Sequence, residues 1–157
     1  MYNNFMIKLG AKELRITVPP EKHLAQLKKN PVYIVLDNVL DTYNVGAIFR
    51  LADAVSAKRI FLCAGTETPP NSRIKKASIN TTEWVKWEYS QTAALAIQNL
   101  KSKIKHLKVF AIEQSKKSIP FDKADYQFPI ALVVGHETDG VSKGALDLSD
   151  QIVEIPM

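Results

Sequence analysis

Apolar runs of strand length at 32–36, 59–63 and 130–134 recur between stretches with helical patterning, and this alternation constrains the fold more than any other feature. Ile130-Ala131-Leu132-Val133-Val134 is the most continuous of them. A strand without a polar face is covered on both sides, and strands that alternate with helices build parallel sheets. The sequence therefore predicts an α/β fold: a mostly parallel sheet with helices on both faces. Further strands are expected at 84–89, 107–112 and 151–155. Helices are expected at 45–55, 92–104 and 142–148, with a short helical turn at 73–78; Asn44 stands near the first N-cap and Ser90 caps the 92–104 helix. Pro69-Pro70 marks a loop over 65–72. Residues 1–30 read as a basic N-terminal arm with a short helix, broken at Pro19-Pro20 before a second helical stretch at 21–29. Residues 31–157 read as one domain, long enough to bury a sizeable core.

The formal charge of +5 is unevenly spread. Residues 1–120 hold nineteen Lys/Arg against nine Asp/Glu, whereas residues 121–157 hold two against seven. Basic clusters stand at Lys28-Lys29, Arg73-Ile74-Lys75-Lys76, Lys101 to Lys108 and Lys116-Lys117. Two readings stay open: a polyanionic partner whose phosphates these groups neutralise, or helices solvated by lysine, with Lys101, Lys103 and Lys105 complementing a helix C-terminus. No apolar run approaches the roughly 18 residues of a membrane span, and the N-terminal stretch lacks the apolar core of a secretory leader. Cys63 is the single cysteine, so neither an internal disulfide nor a zinc pattern is expected. It ends an apolar strand and reads as a small buried side chain. The expectation is a cytoplasmic protein without a metal.

Two constellations could carry chemistry. On the first predicted helix, Val45, Ile48, Phe49, Ala52, Val55 and Ser56 share an arc of about 120° and form a core face. Gly46, Arg50 and Asp53 form a separate polar stripe at i, i+4 and i+7. Arg50 then points away from the core near the carboxyl end of the preceding strand, where open α/β sheets bind ligands; spacing alone favours a surface ion pair with Asp53. The second constellation, Gly135-His136-Glu137-Thr138-Asp139-Gly140-Val141-Ser142, follows the 130–134 strand. Gly135 and Gly140 permit a tight turn and close approach to a ligand. The lysine of a phosphate-binding P-loop is missing after Gly140, and the glycine spacing is not that of a dinucleotide site. His136 has no second His or Cys close in sequence and reads as a loop residue, not a general base. Glu137 reads as a carboxylate that fixes a loop or a ligand hydroxyl.

Together, Asn44-Val45-Gly46-Ala47-Ile48-Phe49-Arg50-Leu51-Ala52 and the Gly135–Ser142 octapeptide resemble motifs one and two of the SpoU/TrmH RNA ribose methyltransferases of the SPOUT superfamily. Thr68-Pro69-Pro70 and Trp84-Val85-Lys86-Trp87-Glu88-Tyr89 are similar to the short single-domain members, and the likeness runs from about Pro31 to Met157. The resemblance implies an α/β sheet whose C-terminal part threads a trefoil knot, S-adenosylmethionine bound in that knot, and a homodimer. It further implies methyl transfer to a ribose 2′-hydroxyl of tRNA or rRNA. By the same resemblance Arg50 is the catalytic residue and Asn44 orders the site. Backbone groups near Ile112, Gly135 and Ile155 hold the cofactor's adenosine, while Glu137 and Gly140 shape the second loop. Arg50 and the basic cluster Arg73, Lys75 and Lys76 are the expected RNA contacts.

The sequence departs from the family in two places. The third motif continues Ile-Pro-Met through Gly and Ser-Leu-Asn into a helix; the sequence stops at Pro156-Met157, so an incomplete knot is expected. Ser78 to Thr82 replaces a segment that usually carries a glycine, and His136 stands where Asn is common. The alternative to an enzyme is a non-catalytic RNA-binding module of the same fold.

Overall fold

The computed structural model describes residues 11–156; residues 1–10 of the expected basic arm, and Met157, lie outside the described residues. Strands β1 (Asn30–Asp37), β2 (Ala57–Cys63), β3 (Trp87–Ser90), β4 (Lys108–Ile112), β5 (Ile119–Pro120), β6 (Ile130–Gly135) and β7 (Gln151–Glu154) form one sheet in the order β3-β2-β1-β6-β4-β7-β5. Every pairing is parallel. The helices are α1 (Ala11–Ile16), α2 (Glu21–Gln26), α3 (Thr42–Ala54), α4 (Ser72–Ser78), α5 (Ala93–Lys103) and α6 (Lys143–Leu148).

Side-chain alternation along β1 explains the two-sided core. Val32, Ile34 and Leu36 join one buried cluster with Val45 and Phe49 of α3 and Ile74 of α4. Tyr33 and Val35 join the other with Ala96, Ile97 and Leu100 of α5 and Ala145 of α6. A strand with period-two side chains that are apolar at every position must be sandwiched in this way. The expected α/β class with helices on both faces is what the chain adopts. Cys63 is fully buried, and burial first, then the Asp37 carboxylate, pushes its thiol up to about 12; it is a packing residue.

Several local expectations are corrected. Helix α3 starts earlier than expected, because the carboxylate of Asp41, not Asn44, occupies its N-cap and accepts from the Tyr43 N–H at 2.7 Å. Helix α5 is capped by Thr92, whose Oγ1 accepts from the Leu95 N–H at 3.1 Å; Ser90 instead ends β3. Leu95, expected on the apolar face of α5, is exposed, and Ala93 and Ala96 take its place. The expected strand at 84–89 begins only at Trp87, as the short β3; Trp84 instead caps the C-terminus of a 3-10 turn (Thr81–Glu83). The helical stretch expected at 21–29 ends at Gln26. The two-residue β5 carries too little pattern to be seen in sequence.

Gly46 is the most instructive correction. Expected on a polar stripe, it is buried, and a Cβ placed there would lie 2.5 Å from the Ala77 Cβ and 2.9 Å from the Ser78 nitrogen. It is the contact point at which α3 and α4 cross, and only the absence of a side chain allows the approach. Val55, expected in the core face, is the C-cap of α3 and half exposed. Arg50 and Asp53 form no ion pair; burial raises the Asp53 carboxyl, and the cation that partly offsets this is Lys29. Lys101 of the expected basic cluster is used internally: its Nζ donates to the Leu148 carbonyl at 2.7 Å and pairs with Asp150 at 3.2 Å.

Candidate active site at the carboxyl ends of β1 and β6

Strands β1 and β6 are neighbours, with Asp37 in register with Gly135. From β1 the chain leaves to α3 on one face, and from β6 to α6 on the other. Such a divergence of connections opens a crevice at the carboxyl edge of a parallel sheet. Both constellations singled out in the sequence start here.

The loop after β6 closes on itself. The His136 N–H donates to the Gly140 carbonyl and the Gly140 N–H to the His136 carbonyl, each at 3.0 Å. His136 Nδ1 accepts from the Thr138 and Asp139 N–H groups, both at 3.1 Å. Its lone pair is thereby committed, so the Asp139 carboxylate 3.6 Å away meets no proton on that nitrogen. His136 is a loop residue, as its sequence setting suggested. Gly135 and Gly140 are forced by geometry: a Cβ on Gly135 would stand 2.2 Å from the Gly140 carbonyl carbon, and Gly140 has φ +71 with Glu113 Oε2 only 1.9 Å from where a Cβ would be.

Glu137 ties this loop to the start of α3. Its Oε1 accepts from the Asp41 N–H and from Asn44 Nδ2, both at 3.1 Å, and its Oε2 accepts from the Leu40 N–H at 3.2 Å. Desolvation pushes this carboxyl up, but hydrogen bonds from Asn44 and from the backbone of Glu137, Asp41 and Leu40 outweigh it and hold it at about 2. Asn44 thus belongs to the site through its amide, on a helix whose N-terminus is aimed at the second loop.

Two carboxylates that sequence reasoning missed complete the frame. Asp37, buried at the end of β1, accepts from the Ser142 N–H at 2.8 Å. Glu113, directly after β4, accepts from the Val141 N–H at 2.8 Å and from the Gln114 N–H at 2.8 Å. The available signal was an acid closing an apolar strand, Leu36-Asp37 and Ile112-Glu113.

Beside this frame lies an apolar cleft of about 330 Å³ lined by Ile112, Phe121, Tyr126, Leu132, Val153 and Ile155, among others. Tyr126 packs on Phe110 with ring centroids 4.7 Å apart. Ile112 and Ile155 therefore share one cleft, while Gly135, Glu137 and Gly140 belong to the neighbouring loop frame. Arg50 is exposed on α3 and has no hydrogen bond or ion pair among the described residues. It stands about 9 Å along the helix from Asn44 and about 120° round it, outside the network that joins Asn44 to Glu137. Arg73, Lys75 and Lys76 are exposed on α4, which packs against α3 at Gly46.

Comparison with known proteins places the fold in a family. The SpoU rRNA Methylase family matches residues 31–157. The chain is similar to the tRNA (guanosine(18)-2′-O)-methyltransferase of Aquifex aeolicus (strain VF5), 29% identical over 140 residues that cover 87% of this chain and 63% of that protein. It is also 29% identical over 127 residues to the enzyme of the same name from Escherichia coli (strain K12), covering 79% of this chain and 52% of the relative. The chain thus spans about half to just under two thirds of these curated relatives. Among solved structures, the A. aeolicus TrmH/SpoU tRNA modifying enzyme superimposes with a TM-score of 0.73 at 26% identity, covering 94% of this chain and 70% of that one. The SpoU methyltransferase AviRb from Streptomyces viridochromogenes, in complex with AdoMet, shares the fold with a TM-score of 0.75 at 17% identity, over 90% of this chain and 56% of that one. With the match covering nearly the whole described sheet and both motif loops, the chain belongs to the SpoU rRNA Methylase family.

Proposed function

We propose that this chain transfers a methyl group from S-adenosylmethionine to a ribose 2′-hydroxyl of tRNA or rRNA. The observation that carries the reading is the hydrogen bond from Asn44 to Glu137, which joins the two motif loops at the carboxyl ends of adjacent strands. Family membership and the names of the relatives support it. In this reading residues 31–157 are the transferase domain and 1–30 a basic arm, the C-terminal strands take part in a knot, and the protein works in the cytoplasm as a homodimer. No helix of the described residues is long and apolar enough to cross a membrane.

The residues present fit the cofactor. The cleft at Ile112 and Ile155 offers apolar walls and aromatic rings of a size suited to a planar adenine, near the lower end of ligand pockets. Backbone groups near Ile112, Gly135 and Ile155 would hold the adenosine, and Glu137 and Gly140 set the shape of the loop beside it. When bound, S-adenosylmethionine supplies a methyl group already activated for transfer. What the chain must add is alignment of acceptor and donor and stabilisation of the charge that develops on the ribose oxygen. Arg50 is the group for the second task. A guanidinium stays protonated and presents a fork of donors, so it stabilises an oxyanion or grips the adjacent phosphate, while the hydroxyl proton passes to solvent water. Asn44 acts through Glu137 as a positioning residue. RNA contacts extend from Arg50 to Arg73, Lys75 and Lys76 on the adjoining α4.

The test is transfer of a labelled methyl group from the cofactor to bulk tRNA and rRNA, followed by nucleoside analysis. Label in a 2′-O-methyl nucleoside is the expected result. RNA binding with no label in any nucleoside would instead make the protein a non-catalytic RNA-binding module.

A further inference from the structure

Three depressions in the surface run into one another along the β3 margin of the sheet. The first, of about 500 Å³, lies at the start of β2 against α5 and is floored by Tyr33, Phe61, Trp84 and Leu100. The second, of about 470 Å³, shares Arg59, Trp84, Lys86 and Glu88 with it. The third, of about 450 Å³, shares Thr82, Glu83 and Trp87 with the second and ends at Pro69, Asn71 and Lys75. The groove therefore leads from the amino-terminal end of the sheet, round its edge strand, to the helix α4 that packs beside α3. The seven residues of β2 alone span about 20 Å.

Its chemistry is specific. The rim carries Lys29, Lys58, Arg59, Lys86 and Lys103 at the first depression and Lys75 at the last. Of the two carboxylates present, Glu88 is paired with Arg59, leaving Glu83. Lys58, Lys86 and Lys103 are exposed and have no ion-pair partner among the described residues. The chain holds two tryptophans, and both line this groove. A surface that merely needs solvation does not gather its tryptophans under a row of unpaired cations.

We propose that the β3-edge groove is a track for a single-stranded RNA segment, separate from the site at the ends of β1 and β6. Lysines spaced along a channel neutralise successive phosphates, and the partly exposed rings of Trp84 and Trp87 stack with unpaired bases. A duplex turns its base faces inward and offers nothing to the rings. The choice of RNA as the polyanion rests on the transferase reading above; the groove's charge and aromatic floor do not. Because the groove ends at Lys75, a strand held in it is delivered to the α3–α4 side of the sheet, where Arg50 stands.

The test uses the two tryptophans as reporters. Adding a single-stranded oligoribonucleotide at low salt is expected to quench their emission, while heparin, a polyanion without bases, competes for binding and does not quench. The triple substitution Lys58→Ala, Lys86→Ala, Lys103→Ala is expected to weaken the RNA at least about tenfold and to make the log–log salt slope shallower by about 2. All three side chains are exposed, so an unchanged thermal melt is expected to accompany the loss. Absence of a quench, binding by the triple variant equal to the parent, or an equal response to an acidic peptide would each overturn the proposal. Cofactor titration of the triple variant separates the two readings: retained cofactor binding with lost quench places the effect in the groove. Failure of the parent to bind cofactor, with its quench intact, refutes the transferase and leaves the track.

Discussion

Replacing Glu137 by Gln tests the clamp on which the site depends. From the α3 side the carboxylate accepts three hydrogen bonds, from the N–H groups of Leu40 and Asp41 and from the Asn44 amide, at 3.1–3.2 Å. Gln keeps one carbonyl oxygen but turns an NH2 toward at least one donor, so the loop loses one bond and gains a donor–donor contact. The ionised form is favoured in the fold, with the carboxyl held at about 2 against an ordinary 4.5. Without screening, a depression of that size corresponds to roughly 3 kcal/mol. Glu137 is exposed, so solvent screening reduces the expected cost to about 1–2 kcal/mol at neutral pH. For a chain of 157 residues that is a fall in Tm of about 3–8 °C.

The pH dependence carries the discriminating information. The folded-state value is depressed, so the stabilisation is fully present above about 4.5 and lost as pH falls through about 2. Thermal melts of parent and Glu137→Gln, followed by circular dichroism from pH 7 to pH 2, should show a gap that is constant down to about pH 5 and then closes. The difference between the two proteins cancels the titration of every other carboxylate. A gap that persists unchanged at pH 2, or no gap at pH 7, would refute the assignment of Glu137 as an ionised clamp.

Gly140→Ala places a Cβ at φ +71 against the Glu113 carboxylate and is expected to lower stability by about 1–3 kcal/mol in a denaturant titration. Gly46→Ala drives α3 off α4 and should cost about 1–3 kcal/mol; Ala77→Gly in the same chain should recover part of that loss in a double-mutant cycle, because the Ala77 methyl is the nearest obstacle. Arg50→Lys should leave the thermal melt and RNA binding unchanged and reduce methyl transfer about 100-fold or more, read as labelled 2′-O-methyl nucleoside; full turnover would remove Arg50 from catalysis. Lys75→Ala with Lys76→Ala should weaken RNA binding and reduce its salt slope by about 1.4, and unchanged binding across salt would take α4 out of the RNA surface.

The strands were legible because burial on both faces leaves a composition signature that no solvated element shares. Ile130 to Val134 could be read as a parallel strand from its residues alone, and β1, β2 and β4 nearly so. Caps and short elements were less legible, since they depend on which of several nearby oxygens captures an N–H. Asp41 displaced Asn44, and Thr92 displaced Ser90, each by a hydrogen bond of local geometry that spacing does not specify. Gly46 was misplaced for a different reason: a glycine carries no hydropathy signal, and its role is set entirely by a helix that crosses it. The site was half legible. Gly135 and Gly140 announced a tight loop, and Glu137 a fixing carboxylate, but Asp37 and Glu113 sit alone in sequence, and only the sheet order β1-β6-β4 sets them beside the same loop.

That sheet order decides what the crevice can recognise. Loops at the carboxyl edge of a parallel sheet have N–H groups with no ladder partner, and in many α/β proteins these bind a phosphate. Here they are already committed. Ser142 donates to Asp37, Val141 to Glu113, Leu40 and Asp41 to Glu137, and Thr138 and Asp139 to the His136 ring. A phosphate entering this crevice would find few backbone donors and three carboxylates within the same frame. The electrostatics therefore disfavour a nucleotide phosphate at this end of the sheet and suit a ligand that carries positive charge beside an apolar ring. A sulfonium joined to adenosine has that combination, with the apolar cleft at Ile112 and Ile155 for the ring. In the proposed function, recognition of RNA phosphate then falls to side-chain cations outside the frame, Arg50 and the lysines of α4, which are exposed, whereas the carboxylates of Asp37, Glu113 and Glu137 each accept backbone hydrogen bonds.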